Sequence, residues 1–239
     1  ALGFEPAVPG AFAEYVAVPH ADYNATHRPE SVSARAAAAL GCRFMTAFHA
    51  LAHRAPLSPG DWVAVHGCGG VGLSAVQVAD ALGARVVAVD VREEALDAAA
   101  RMGAAETVNA DESDVPAEIR RRVGGAHVSL DALGSAETCR ASVESLRSGG
   151  THVQLGLTTD AEKGEVSLPT DYMTRHELSF LGSRGMSPTS YDELFSLIDA
   201  GRVDPEALVT RELSLDEVPA RLAAMDDYGT NGVEVVTEF

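Results

Sequence analysis

From Trp62 onwards, short apolar runs rich in valine alternate with stretches in which apolar residues recur at helical spacing. The runs at 62–66, 85–90, 106–109, 127–131, 152–155 and 178–181 read as six strands, and the intervening segments 70–82, 93–102 and 136–146 read as helices. Strands apolar on both faces, separated by helices, are the pattern of a parallel sheet covered on each side. Gly83, Gly103 and Gly149 fall where these helices are expected to stop, since a helix C-terminus favours a residue that adopts the left-handed conformation freely.

The pattern changes on either side of this block. Residues 12–18 alternate as one strand would, among Pro and Gly. The Ala-rich, Pro-free stretch 36–53 reads as a long helix leading into the first sheet strand. After about 185 come a helix at 191–200, a strand at 208–213, a helix at 215–225 and a strand at 232–236. The expected division is therefore 1–35, the end of one domain; 36–185, a complete α/β domain with a doubly wound parallel sheet; and 186–239, a return to the first domain.

Composition narrows the partners. With 35 acidic against 18 basic residues, the formal charge is −17 at pH 7. Such a surface repels phosphate backbones and gives no footprint for nucleic acid. Lys163 is the single lysine, and this acidic, arginine-based balance suits a halophilic proteome or simply an acidic, alanine-rich one. No apolar run reaches the roughly 18 residues needed to span a bilayer, so no membrane partner is expected. Cys42, Cys68 and Cys139 are too few and too widely spaced for a disulfide framework, which points to a reducing, cytoplasmic compartment. The chain opens at Ala1 without a methionine or the blocks of a signal peptide, and is expected to have lost its start.

The clearest chemical signal follows the first strand. Gly67-Cys68-Gly69-Gly70-Val71-Gly72 has the spacing Gly-x-Gly-x-x-Gly between a strand and a helix. Gly67 suits the tight turn, Gly69 leaves room for a pyrophosphate against the backbone, and Gly72 permits close packing of helix on strand. The helix N-terminus adds unpaired N–H groups and a positive dipole end, local features that must outweigh the global negative charge. Asp90 closes the second strand at the distance expected of the carboxylate that binds adenosine ribose hydroxyls. A carboxylate there repels a 2′-phosphate, so NAD(H) is favoured over NADP(H), with Arg92 the one residue that argues the other way.

The order of motifs adds a resemblance. Gly10-Ala11-Phe12-Ala13-Glu14-Tyr15-Val16, Gly41-Cys42-Arg43-Phe44-Met45-Thr46-Ala47, Pro59-Gly60-Asp61 and the glycine loop are similar to the zinc-dependent alcohol dehydrogenases of the medium-chain dehydrogenase/reductase superfamily. So are Asp131-Ala132-Leu133-Gly134, Gly149-Gly150 and Glu177-Leu178-Ser179-Phe180-Leu181-Gly182-Ser183. The resemblance implies a Rossmann-type domain flanked by two partial segments of a GroES-like, β-rich catalytic domain. It implies that Cys42 is one of three protein ligands to a catalytic Zn2+, that Thr46 lies against the nicotinamide, and that Val71 packs behind that ring. Asp131, Leu133 and Gly134 then line the path of the adenosine and nicotinamide ribose. Leu155, Gly156, Leu157 and Ser183 fall near the carboxamide. For these last positions, ordinary packing at strand ends explains the residues equally well. A thiolate suits zinc, and zinc with an open position polarises an alcohol or carbonyl oxygen.

The other zinc ligands and the alcohol proton relay expected of the family have no counterpart here, and residues 1–33 hold no cysteine. They are expected upstream of Ala1, which makes the chain a fragment or a degenerate relative. His49 and His53 share a helix face, but His49 is two turns from Cys42, about 10.5 Å of rise and too far for one zinc. The leading expectation is an NAD(H)-dependent oxidoreductase acting on a small alcohol or aldehyde as a homodimer or homotetramer, with the 178–183 segment as the subunit-pairing edge. The alternatives are a zinc-free NADPH quinone or enoyl reductase and a non-catalytic nucleotide-binding module.

Overall fold

The computed structural model describes residues 10–226 and 232–239, so the first nine residues of the N-terminal segment and 227–231 of the C-terminal return lie outside the described residues. Two compact units emerge, Cys42–Met186 and the segments that flank it on both sides. In the flanking unit, α1 (Ala21–Asn24) and α2 (Ala34–Ala39) precede the sheet block. The Ser33 side chain caps α2 by accepting from Ala36 N–H at 3.0 Å.

The larger unit opens with α3 (Met45–Phe48), set between two π-helical stretches, Leu40–Phe44 and His49–Arg54. The expected single helix over 36–53 is thus broken. Gly41 leaves helical geometry at φ −7°, ψ −142°, and Cys42 comes directly after the kink. Alanine content hid a residue that disfavours helix interiors by about 1 kcal/mol relative to alanine.

Six strands follow, alternating with helices: β1 (Trp62–His66), α4 (Gly70–Ala81), β2 (Arg85–Asp90), α5 (Glu93–Arg101), β3 (Glu106–Asn109), α6 (Val115–Val123), β4 (Ala126–Asp131), α7 (Ala136–Glu144), β5 (Leu146–Gln154), α8 (Thr170–His176) and β6 (Ser179–Gly182). All pair in parallel, in the order β3-β2-β1-β4-β5-β6. The chain runs outward from β1 to β3, then returns to place β4 on the other side of β1. The strand order therefore reverses between β1 and β4, where such sheets open a crevice at their carboxyl edge.

The core explains the alternation of the sequence. Ala64, Val87, Val89 and Val108 meet Val115 and Ile119 of α6 on one face of the sheet. Helix α4 buries most of its length, including Ala75, Val76 and Ala79, and packs on β1 and β2. Full burial of a side chain such as Ile119 is worth about 1.5–3 kcal/mol. Helices α6 and α8 go beyond those the periodicity marks. Only Val115 and Ile119 of α6 are buried beside an Arg120–Arg121–Arg122 run, and Asp114 caps it by accepting from Ala117 N–H at 3.0 Å.

Two further expectations need correction. Gly149 does not end a helix. Helix α7 closes at Glu144, and β5 starts at Leu146, six residues earlier than the apolar run suggests. Gly149, at φ +76°, lies where the β4–β5 pairing jumps from Ala126–Leu146 to Val128–Thr151, so its left-handed backbone serves a bulge. Residues 12–18 are not a strand. They are extended or bent, with Phe12 and Tyr15 exposed, and no strand pairs with them among the described residues; an isolated strand has no ladder to hold it.

The rest of the flanking unit follows the pattern closely: α9 (Tyr191–Asp199), β7 (Val209–Ser214), α10 (Val218–Asp226) and β8 (Val233–Glu238), with β7 and β8 paired in parallel. Helix α2 packs on β8, Arg35 pairs with Glu212 at 3.0 Å, and Ser33 also donates to Glu206.

Candidate functional site

Three turns meet at the carboxyl edge of the sheet where the strand order reverses. The first joins β1 to α4. Gly67 adopts φ +90°, and its N–H donates to Val89 O at 2.8 Å, which ties the turn to β2. A Cβ on Gly72 would sit 1.8 Å from Gly67 O, so the helix start and the turn are in backbone contact that only glycine allows. A Cβ on Gly69 would meet nothing within 4 Å. The loop is therefore closed toward the protein at Gly72 and open at Gly69, where the first N–H groups of α4 lack intrahelical acceptors.

Asp90 stands beside this turn at the end of β2. Its Oδ2 accepts from Cys68 N–H at 2.7 Å and its Oδ1 from Arg92 N–H at 3.0 Å, while Arg92 Nε lies 3.6 Å from Oδ1. A carboxylate offers about four acceptor positions, so Asp90 retains capacity for hydroxyl donors while it braces the loop. Cys68 is buried, and its thiol is pushed up to about 12 by loss of solvation and by the Asp90 charge. It is an inert part of the turn. His66, last in β1, is also buried. Desolvation, aided by His152, holds it at about 3, so its ring is neutral, with Nε2 lacking a hydrogen-bond partner.

The second and third turns follow β4 and β5. Asp131 is fully buried, and its Oδ1 accepts from Leu133 N–H (2.8 Å) and Gly134 N–H (2.9 Å). Its Oδ2 accepts from Gln154 Nε2 at 2.9 Å. A Cβ on Gly134 would lie 2.0 Å from Leu157 O, and one on Gly156 would lie 2.4 Å from Gly134 N. The two turns thus stack backbone on backbone. Leu133 and Leu157 are left 46% and 80% exposed, an apolar pair at this edge of the sheet. Ser183 donates its N–H to Gln154 O at 3.1 Å, and its buried Oγ has no partner.

The structure thus gathers Gly67, Gly69, Gly70, Val71, Gly72, Asp90 and Arg92 around one turn, and Asp131, Leu133, Gly134, Leu155, Gly156 and Leu157 around the neighbouring pair. Cys42 and Thr46 lie on the kinked helical segment, Sγ to Oγ1 4.0 Å, with Cys42 exposed and α3 packed on α4. No three potential metal ligands converge among the described residues. His49 and His53 face each other, Nδ1 to Nδ1 3.1 Å, and so satisfy one another. The residues present supply one soft ligand and do not by themselves complete a zinc site.

Sequence reasoning missed Gln154, His152, Ser129 and Ser142, which join Asp131 in a polar chain buried everywhere but at the half-buried Gln154. None belongs to a local motif, because the partners come together only when β4, β5 and α7 pack.

These features define a Rossmann-type α/β domain: a six-stranded parallel sheet, a glycine turn at its reversal point and an acid closing the second strand. The comparisons with known proteins make this specific. A family model described as zinc-binding dehydrogenase matches residues 70–200, more than half of the chain. The NAD-dependent alcohol dehydrogenase of Sulfurisphaera tokodaii is 35% identical over 231 residues, covering 95% of this chain and 64% of that protein. Among solved structures, alcohol dehydrogenase TADH from Thermus sp. ATN1 superposes with a TM-score of 0.88 at 31% identity, covering 99% of this chain and 70% of that one. The alcohol dehydrogenase of Aeropyrum pernix gives 0.81 at 30% identity, with 95% and 65% covered. The chain belongs to the zinc-binding dehydrogenase family, within the medium-chain alcohol dehydrogenases. It spans about two thirds of the length of the curated relative from S. tokodaii.

Proposed function

We propose that this chain is the coenzyme-holding part of an NAD(H)-dependent alcohol dehydrogenase. The observation that carries the reading is the glycine turn, closed at Gly72, open at Gly69 and braced by Asp90. In this reading the pyrophosphate lies over Gly69 against the N-terminus of α4, and Asp90 receives the adenosine ribose hydroxyls. The nicotinamide extends past Val71 and Thr46 toward Leu133, Leu155–Leu157 and Ser183. The relatives named as NAD-dependent alcohol dehydrogenases support the reaction: an alcohol carbon gives a hydride to NAD+, yielding NADH, a carbonyl compound and a proton.

Zinc enters this reading through Cys42 alone, with further ligands supplied from outside the described residues. The flanking unit corresponds to parts of a GroES-like catalytic domain. β6, the outermost strand on its side of the sheet, is the proposed pairing edge of a homodimer or homotetramer. A cytoplasmic location suits three thiols, all unpaired in the structure.

Calorimetric titration of the chain with NADH and NADPH tests the proposal. NADH is expected to bind more tightly, because Asp90 opposes a 2′-phosphate. Tighter NADPH binding contradicts the assignment of Asp90 and favours the zinc-free reductase reading; absence of binding to either contradicts the nucleotide site itself.

A further inference from the structure

The second and third turns are joined by a continuous chain of hydrogen bonds, buried at Asp131, His152, Ser129 and Ser142 and half-buried at Gln154. Gln154 occupies its centre. Its amide nitrogen faces two obligate acceptors, Asp131 Oδ2 and the Gly156 carbonyl, both at 2.9 Å. The amide has two N–H groups, and both are used. Its Oε1 must therefore be the atom facing His152 Nε2 at 3.0 Å, so Nε2 carries the ring proton and donates it. Nδ1 is then an acceptor, within reach of the hydroxyls of Ser129 (3.2 Å) and Ser142 (3.1 Å). Neutral His152 is consistent with its burial, which lowers its proton affinity, and Phe180 of β6 packs on the ring at 4.5 Å between centroids.

Through this chain, one side chain touches both turns. Gln154 grips the first through Asp131, whose other oxygen holds the N–H groups of Leu133 and Gly134, and the second through the Gly156 carbonyl. The backbone stacking of Gly134 on Leu157 leaves no slack between them. Asp131 is thereby committed inward, as an organiser of its own turn.

We propose that Gln154, oriented by His152, is a positioning residue that fixes the spacing of the Leu133–Gly134 and Gly156–Leu157 turns and so sets affinity for the nicotinamide half of the dinucleotide. The inference rests on the reading of this edge as an NAD(H) site, but it assigns a function to residues that bind no ligand themselves.

Gln154→Glu gives the decisive variant, read by NADH and AMP binding to the full chain between pH 5.5 and 9. At high pH the introduced carboxylate faces that of Asp131, and two such groups in contact do not both stay ionised without forcing the turn open. NADH affinity is expected to fall about tenfold at pH 8, the scale of one buried hydrogen bond to a charged group. It is expected to recover toward pH 5.5 as the introduced carboxyl and Asp131 come to share a proton. AMP, whose phosphate and ribose are assigned to the glycine turn and Asp90 and which meets the second turn only through its adenosine, is expected to lose far less affinity than NADH at every pH. The other ionisable groups that interact with this network are His66, His152 and Cys139. Burial holds His66 at about 3 and Cys139 at about 11 and lowers His152 below its ordinary value, so the parent profile is expected to be flat from pH 7.5 to 9.

If the Gln154→Glu chain melts below assay temperature, Gln154→Met replaces it, with about tenfold weaker NADH binding at all pH values and a far smaller loss for AMP. Parent-like NADH affinity in the variant used overturns the proposal, as does equal loss of NADH and AMP. A parent chain that binds neither ligand removes the nucleotide reading and this inference with it. A parent that binds both while the variant matches it overturns the inference alone.

Discussion

The turn after β1 and the paired turns after β4 and β5 lie side by side at one edge of the sheet, yet they are held in different ways. The first depends on what is missing. At Gly72 the absence of a Cβ lets the helix start touch Gly67 O, and at Gly69 the same absence leaves an open surface. The second pair depends on side chains that are buried or, at Gln154, half-buried, with Asp131, Gln154, His152 and two serines completing one another's hydrogen bonds. The glycine turn tolerates no added volume at Gly72, whereas Gly69 has room for a methyl group, and its close packing is set by backbone shape. A polar chain tolerates shape changes better but fails when any member changes protonation or loses its partner, because the rest is left buried and unsatisfied.

The largest effect that separates the two is expected from Gly72→Ala. Its methyl would meet a backbone oxygen at 1.8 Å, and no side-chain rotation relieves that contact. A loss of about 3 kcal/mol or more in a urea melt is expected, with NADH binding abolished. A parent-like midpoint would show that the turn has freedom the structure does not suggest.

Acid is expected to act next, on the imidazoles at the roots of the turns. His66 titrates at 6.5 when unfolded and at about 3 when folded, so below pH 6.5 the unfolded chain binds more protons and stability falls as pH drops toward 3. Each pH unit in that window costs about 1.4 kcal/mol, or on the order of 2 kcal/mol at pH 5. Urea melts at pH 7.5 and 5 measure this, and His66→Phe should remove most of the difference. If it does not, His152 or the carboxylates govern the acid response.

The smallest effect distinguishes the turns by their thiols. Cys68 lies in the first turn and Cys139 near Asp131 of the second; burial raises them to about 12 and about 11, while Cys42 is exposed. Iodoacetamide on the native chain at pH 8, read by peptide mass mapping, is expected to modify Cys42 first and leave the other two largely protected. In Gln154→Glu, Cys139 should gain reactivity while Cys68 does not. Equal gains would mean the two turns open as one.

The same contrast explains what the sequence makes legible. The glycine spacing and Asp90 declare the first turn because its physics is local: a strand end, four glycines and a helix start. Six strands were visible for the same reason, as valine-rich runs between helices. The Gln154–His152 chain leaves no such mark, since its five members lie on three elements joined only by packing. The kink at Gly41 was hidden by surrounding alanine, and the bulge at Gly149 resembled a helix stop because both exploit a left-handed glycine. The 12–18 alternation misled because periodicity signals a strand only where a neighbouring strand completes it.

The central claim, that the first turn holds the pyrophosphate of NAD(H), is tested most directly by Gly69→Ala. Its Cβ meets nothing within 4 Å in the folded chain, and φ −77° at Gly69 is open to any residue. The melting midpoint is therefore expected to match the parent, while NADH affinity falls by at least roughly tenfold as the methyl occupies the space assigned to the phosphates. Unchanged NADH binding in a normally folded Gly69→Ala chain would contradict the claim.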